Sequence, residues 1–132
     1  GGGSRMPLSS DTLRKREHSL RMQGASLFRI AIRRIEQAVQ EILKEFGVGP
    51  GDLTQIVLHQ ANGRILSQVA ERLGIDQSRL VSVIKRYGNT SSASLPIALD
   101  DAVRGGNISP NDLVLLGSFG GGLTWATGLL RW

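Results

Sequence analysis

The stretch HQANGRI, His59 to Ile65, places one of only two histidines directly after the short apolar run Ile56–Leu58. A histidine between a strand and a helix lies in the crevice where open α/β sheets usually bind ligands. The positive end of the following helix favours a neutral imidazole, which can donate one hydrogen bond to a developing oxyanion or accept a proton. A hydrogen-bonded structural histidine is the alternative interpretation.

The stretch YGNTSSAS supplies a second polar group at a similar junction. Asn89 follows Gly88, so a tight turn can aim its carboxamide, although asparagine is also a common helix cap. Beside a histidine, the carboxamide has a chemical use. Two neutral donors that converge on one oxygen can stabilise an enolate without a proton transfer.

The stretch SFGGGLTW, Ser118 to Trp125, contains three consecutive glycines. Glycines in a turn let backbone amides approach a ligand with no side chain in the way, so this turn could hold an oxyanion. A loose hairpin turn without a ligand explains the same residues equally well.

The periodicity of the chain predicts the elements that must position these groups. Helices are expected at about 20–46, 63–73 and 90–104, and strands at 56–58, 80–84 and in two segments within 113–132. The order α-β-α-β-α-β-β predicts a mixed sheet covered by helices. Residues 6–19 are expected to be irregular. The stripe that should face the core in the first helix comprises Leu27, Ile30, Ala31, Ile35, Ala38, Val39, Ile42, Leu43 and Phe46.

Composition narrows the function classes. The 132 residues contain no cysteine, which excludes disulfides, thiolate metal sites and a thiol nucleophile in this chain and favours a reducing compartment. No apolar run approaches a membrane span and no signal-peptide pattern occurs, so a cytoplasmic protein is expected. No metal or cofactor site is predicted.

Positive charge is concentrated near the beginning of the chain. The net charge is +5, and eight of the sixteen lysines and arginines lie between Arg5 and Arg34, opposed only by Asp11 and Glu17. A basic face favours an acidic protein, a phosphate-bearing ligand, an anionic surface or nucleic acid, and a solvated helix face is the plain alternative. Nucleic acid could use the run Arg14–Arg16, but no recognition-helix, zinc or base-stacking pattern accompanies it.

Taken together, these motifs resemble the C-terminal half of β-ketoacyl-acyl-carrier-protein synthase III. The resemblance also includes RYGNTSSASLPIAL, NDLVLL and the upstream LRMQGASLFRIAI, and it runs without a gap from about Leu20 to Trp132. It implies half of a thiolase-like fold for residues 20–132. From their composition, we expect residues 1–19 to be a linker or a disordered lead-in. The resemblance also implies condensation of an acyl thioester, supplied by coenzyme A, with malonyl-carrier protein in fatty acid or polyketide synthesis.

The resemblance assigns roles residue by residue. His59 and Asn89 match the family's catalytic donors to the malonyl thioester oxygen, and the amide of Gly121 matches an oxyanion-binding position. Positions expected to contact pantetheine or substrate are Asn62, Gly24, Phe28 and Phe119. Arg64 and Arg29 match basic positions that dock the acidic carrier protein. Coenzyme A and the carrier protein would be substrates or partners, with no further cofactor.

One departure from the family pattern is large, because the nucleophilic cysteine of the family lies in its N-terminal half. This chain would therefore need a cysteine-bearing half that is a separate chain, cleaved off or deleted. We expect the isolated chain to be inactive and to associate as an oligomer, since the apolar face of the helix at 90–104 would otherwise be exposed. A non-catalytic module that binds carrier protein or acyl thioester is the alternative function.

Overall fold

The computed structural model describes residues 3–19 and 23–132, which form helices packed on both faces of a small sheet. The helices are α1 (Ser10–Arg14), α2 (Gly24–Glu45), α3 (Gly63–Arg72), α4 (Ile84–Tyr87) and α5 (Ser94–Arg104). The strands are β1 (Gln55–Leu58), β2 (Leu113–Gly120) and β3 (Thr124–Arg131). Short 3-10 turns at Pro50–Asp52, Gln77–Arg79 and Ser91–Ala93 connect them.

The sheet has the order β1-β2-β3 and is mixed, as predicted. β1 runs parallel to β2, with Leu58 opposite Gly117, and β2 runs antiparallel to β3, with Phe119 opposite Trp125. The turn at 121–123 closes the β2–β3 hairpin. The carboxyl end of β1 and the hairpin therefore lie at the same end of the sheet.

Alternation of side chains along the strands builds two cores. Ile56, Leu58 and Leu115 point into the main core beneath α2 and α3, whereas Val57 and Val114 face the second core beneath α5. This is the period of two expected for strands buried on both faces. The sheet is thus the middle of three layers.

Helix α2 confirms the predicted helix and most of its buried stripe, although Leu20, the predicted start, lies outside the described residues. Ile32 is buried and was missed, while Ile30 and Phe46 are 39% and 62% exposed and were predicted wrongly. Ile32 lies one turn from both Phe28 and Ile35, which places it on the core face. Phe46 is already past the helix end, where Gly47 has φ 63°.

The strand predicted at 80–84 is wrong. Only one bridge, between Ile56 and Leu80, extends the sheet there, and α4 begins at Ile84. The physical reason is a competing side chain. Gln60 binds the carbonyl of Val81 and the amide of Val83, the backbone groups that a longer ladder would need.

Smaller differences concern α1 and α5. The predicted irregular lead-in contains α1, because Ser9 and Thr12 form a reciprocal cap and Asp11 pairs with basic side chains of the next turn. Helix α5 begins at Ser94 rather than Thr90, after a 3-10 turn. The apolar face of α5 is less exposed than expected, because four of its side chains are partly buried against the second core. They are Leu95, Ile97, Leu99 and Val103.

Candidate functional site

The site is built at the carboxyl end of β1, where His59 follows Leu58. The N–H of His59 donates to the carbonyl of Gly117 at 2.8 Å, which continues the parallel pairing one residue beyond the strand. The backbone of His59 is therefore held by the sheet, and only its ring has to be oriented.

Two contacts orient the ring. Nδ1 of His59 lies 2.5 Å from Oγ of Ser94, the first residue of α5. The ring of Phe119 meets the imidazole edge-on, with centroids 5.2 Å apart and an interplanar angle of 74°. A serine on one side and an aromatic ring on another leave the imidazole little freedom to rotate.

The imidazole is half-buried, and this burial shifts its pKa. Burial lowers the pKa of His59 below the ordinary value of 6.5, because a charged imidazolium loses hydration there. His59 is therefore neutral near pH 7. The sequence also predicted a neutral ring, but from the positive end of the following helix, whereas the cause in the structure is burial.

A cavity of about 380 Å³ lies beside this ring. It is bounded by the loop before α5 and by the β2–β3 hairpin. Its lining residues are His59, Ser91, Ser92, Ser118, Phe119, Gly120, Thr124, Trp125 and Ala126. The predicted substrate-contacting Phe119 is thus brought together with His59.

Asn89 lies at the start of the same loop. It follows Gly88, whose φ of 69° and ψ of -161° suit glycine alone, and its Oδ1 accepts a hydrogen bond of 3.0 Å from the N–H of Ser91. With its oxygen engaged, the carboxamide retains its NH₂ for donation. Asn89 is exposed and does not itself line the cavity, whereas its neighbour Ser91 does.

Of the three consecutive glycines, Gly120, the last residue of β2, lines the cavity. Gly121 is exposed in the turn, and its carbonyl accepts a hydrogen bond of 3.2 Å from Oγ1 of Thr124. This bond steadies the peptide that follows Gly121. The role of the Gly121 amide as an oxyanion donor stays a prediction.

Comparison with known proteins identifies the family. Residues 43–132 match the family described as "3-Oxoacyl-[acyl-carrier-protein (ACP)] synthase III C terminal". The chain belongs to this synthase III C-terminal family. It is 41% identical over 132 residues to the β-ketoacyl-[acyl-carrier-protein] synthase III of Desulfitobacterium hafniense, covering 100% of this chain and 40% of that protein. The Desulfotalea psychrophila protein of the same name is 50% identical over 113 residues, covering 86% and 35%.

Solved structures agree with the family assignment. The 3-oxoacyl-[acyl-carrier-protein] synthase III from Aquifex aeolicus superposes with a TM-score of 0.84 at 44% identity, covering 85% of this chain and 36% of that chain. The priming β-ketosynthase of the R1128 polyketide pathway gives 0.80 at 36% identity, covering 94% and 39%. The chain therefore has the thiolase-like fold of its family and spans about two fifths of the length of the curated relatives it matches.

The other residues assigned through the synthase III resemblance lie outside the cavity lining. Asn62 caps α3, its Oδ1 accepting from the N–H of Arg64 at 2.9 Å, and Phe28 packs partly against the main core. Gly24 is the first residue of α2 and is exposed, as are the side chains of Arg64 and Arg29. Their substrate and carrier-protein contacts stay predictions.

Two polar residues of the site were not singled out from the sequence. Gln60 is fully buried, and its side chain makes three hydrogen bonds to the backbone of Leu58, Val81 and Val83. Ser94 is 1% exposed and contacts His59 and the N–H of Gln60. Both residues lie within the quoted motifs. The sequence does not show that a serine or a glutamine is buried, because burial depends on how the helices and strands pack.

Two further properties concern residues 3–19 and 23–132 only. No group of three or more metal-ligating side chains lies close enough to hold an ion. Over the same ranges, no helix combines the length and apolarity that crossing a bilayer requires.

Proposed function

We propose that this chain provides the histidine and asparagine of a β-ketoacyl-acyl-carrier-protein synthase III. The reaction is decarboxylative Claisen condensation of an acyl thioester with malonyl-carrier protein, in fatty acid or polyketide synthesis. The observation that carries the proposal is a neutral, oriented His59 on a 380 Å³ cavity, in a chain of the synthase III family.

The first step, decarboxylation of the malonyl thioester, requires hydrogen-bond donors. When the malonyl carboxylate leaves as CO₂, the electron pair of the broken carbon–carbon bond moves toward the thioester carbonyl oxygen. An imidazole N–H of His59 and the NH₂ of Asn89 would donate to that oxygen as it becomes an enolate. The bond between the Asn89 oxygen and the Ser91 amide supports this role, because it uses the acceptor of the carboxamide and leaves the NH₂ as its donor group.

The second step needs a group that this chain lacks. The enolate carbon attacks the carbonyl carbon of an acyl group held as a thioester on cysteine, and the new carbon–carbon bond gives a tetrahedral oxyanion. Collapse of this oxyanion restores the carbonyl and expels the cysteine thiolate. The Gly121 amide would hold the oxyanion of that addition. Because this chain has no cysteine, we assign the nucleophile to the N-terminal part of the enzyme.

Charge and exposure support the two carrier-protein assignments. Arg29 and Arg64 are exposed on a chain of net charge +5, which favours docking of an acidic carrier protein and speeds its encounter. Asn62, Gly24, Phe28 and Phe119 would contact the pantetheine or the substrate. The carrier protein and the coenzyme A thioester would be substrates, and no separate cofactor would be required. A cytoplasmic location stays a prediction.

Exposed apolar side chains support association with a further chain. Phe46, Tyr87 and Trp132 are 62%, 50% and 43% exposed. Exposed apolar side chains favour contact with a partner where they form one contiguous patch. We therefore expect an oligomer, or a complex with the cysteine-bearing part.

Complementation tests the catalytic proposal. The chain is mixed with a cysteine-bearing N-terminal part from a longer relative, and CO₂ release from malonyl-carrier protein is measured. His59→Ala or Asn89→Ala should each slow the mixture by about 10²–10³-fold, the cost of losing one oxyanion donor. His18→Ala and Asn107→Ala are matched controls, since both residues are exposed and belong to no part of the site. Release at an unchanged rate from the His59→Ala mixture would refute the proposal.

The second candidate function is a non-catalytic module that binds carrier protein or acyl thioester. The absence of cysteine favours it for the chain alone. This candidate predicts carrier-protein binding that Arg64→Glu weakens, and no turnover after mixing with a cysteine-bearing part. A DNA binder would instead lose DNA affinity steeply with added salt, whatever residue stands at position 64.

A further inference from the structure

Ser94 lies between the imidazole of His59 and the backbone of the next residue. Its Oγ is 2.5 Å from Nδ1 of His59 and 3.1 Å from the backbone nitrogen of Gln60. Ser94 is 1% exposed and Gln60 is fully buried, so water does not compete strongly for these bonds. The direction of each hydrogen bond can therefore be worked out.

A backbone N–H can only donate, so the Ser94 oxygen accepts the bond from Gln60. The hydroxyl has a single hydrogen of its own. Within residues 3–19 and 23–132, Nδ1 of His59 is the one remaining partner of this hydroxyl. If Nδ1 carried a proton, the serine hydrogen would be buried without an acceptor, which is unfavourable.

We propose that Ser94 is a positioning residue that donates to Nδ1 of His59 and thereby holds the neutral imidazole as its Nε2–H tautomer. The hydrogen bond made by one ring nitrogen sets which nitrogen carries the proton. Since Nδ1 faces a buried serine, the ring edge that carries Nε2 is left to face the cavity that His59 lines. Ser94 thus presents an N–H donor to that cavity.

This inference rests on the proposed function for its consequence. An Nε2–H group that faces the cavity stabilises an oxyanion that develops there. The other tautomer would present the lone pair of Nε2 instead, which repels an oxyanion. His59 would accordingly act as a hydrogen-bond donor in decarboxylation and not as a general base. The tautomer itself can be measured without substrate.

Nitrogen-15 NMR of the imidazole provides the test. The chain is labelled at histidine nitrogen in a His18→Gln background, so His59 is the single histidine, and spectra are recorded at a pH where the ring is neutral. The same chain in denaturant supplies the reference tautomer ratio. We expect His59 to show the Nε2–H form alone in the parent and in Ser94→Thr, which keeps the hydroxyl. Ser94→Ala should return the ratio to that of the denatured chain.

Ser82→Ala serves as the matched control, because Ser82 is an exposed serine outside the cavity lining. It should leave the tautomer unchanged. A parent spectrum with the proton on Nδ1, or a folded Ser94→Ala chain that keeps the parent ratio, would overturn the proposal. If Ser94→Ala does not fold, the proposal is judged on the parent and Ser94→Thr spectra, which should both show the proton of His59 on Nε2. Failure of CO₂ release after complementation would count against the proposed function alone.

Discussion

The side-chain oxygen of Gln60 accepts a hydrogen bond of 3.0 Å from the backbone N–H of Val83, across a span of 23 residues. Its amide nitrogen donates to the carbonyls of Leu58 at 2.8 Å and Val81 at 3.1 Å. One buried glutamine therefore ties the end of β1, next to His59, to the segment that leads into α4.

Truncating this glutamine should destabilise the fold. Gln60→Ala would leave buried backbone groups of Leu58, Val81 and Val83 unpaired, at about 1–3 kcal/mol for each group that water cannot reach. We expect a loss of about 3 kcal/mol in the free energy of unfolding, measured with urea. Gln68→Ala, an exposed glutamine on α3, should change it by less than about 0.5 kcal/mol. Equal losses for the two variants would show that the Gln60 bonds are not structural.

Gly117 is required where β1 and β2 approach closely. A Cβ at this position would lie 2.6 Å from Cδ2 of Leu58, which is 1% exposed and has little room to move. Gly117→Ala should destabilise the chain by about 1–3 kcal/mol through overpacking, as measured by denaturant unfolding. Gly128→Ala is the control within the same sheet, because its added Cβ meets nothing within 4 Å. A larger loss at Gly128 would contradict the close packing of Gly117 against Leu58.

The lowered pKa of His59 makes stability depend on pH. Because the folded pKa lies below the ordinary value of 6.5, the unfolded chain binds more protons from this residue between the two values. The free energy of unfolding should rise with pH through that window, and the contribution should be complete above 6.5. NMR titration of the His59 ring should accordingly give a midpoint below 6.5.

Comparing variants separates the contribution of His59 to the pH dependence of the free energy of unfolding from the contribution of the carboxylates. His59→Gln should remove this part of the pH dependence of unfolding, whereas His18→Gln should keep it. A His59 midpoint above 6.5 would mean that the imidazolium is stabilised in the folded chain, contrary to the burial of the ring.

Gly88 sets the entry into the loop that carries Asn89. Its φ of 69° with ψ of -161° falls in a region that residues with a Cβ avoid, at a cost of about 1–3 kcal/mol. Gly88→Ala should lower the free energy of unfolding by that amount and reduce activity in the complemented enzyme. Gly51→Ala, in open space without a positive φ, should leave both unchanged. An unaltered Gly88→Ala chain would show that Asn89 does not depend on this turn.

Local pattern predicted a large part of the fold. The spacing of apolar residues located α2 and α3, and β-branched and apolar runs located β1 and the β2–β3 hairpin. Helical and strand periodicities are properties of neighbouring residues, so they are visible without a tertiary structure. The same argument failed at 80–84, where apolar β-branched residues were available but Gln60 had already bound their backbone groups.

The site was predicted unevenly for a related reason. His59, Phe119 and the loop after Asn89 do meet at one cavity, which follows from strand ends and turns that sequence patterns indicate. Ser94 could not be distinguished from the serines beside it in YGNTSSAS. Only the packing of α5 against β1 shows which hydroxyl faces the imidazole.

The amino-acid sequence by itself determined the family of this chain, its helices α2 and α3, its mixed sheet and the place of a histidine at a strand end. Only the tertiary structure decided which polar side chains are buried and which atoms they bind. The physical reason is that periodicity depends on neighbours in the chain. The hydrogen bonds of Gln60 to Val83 and of Ser94 to His59 instead join residues 23 and 35 positions apart.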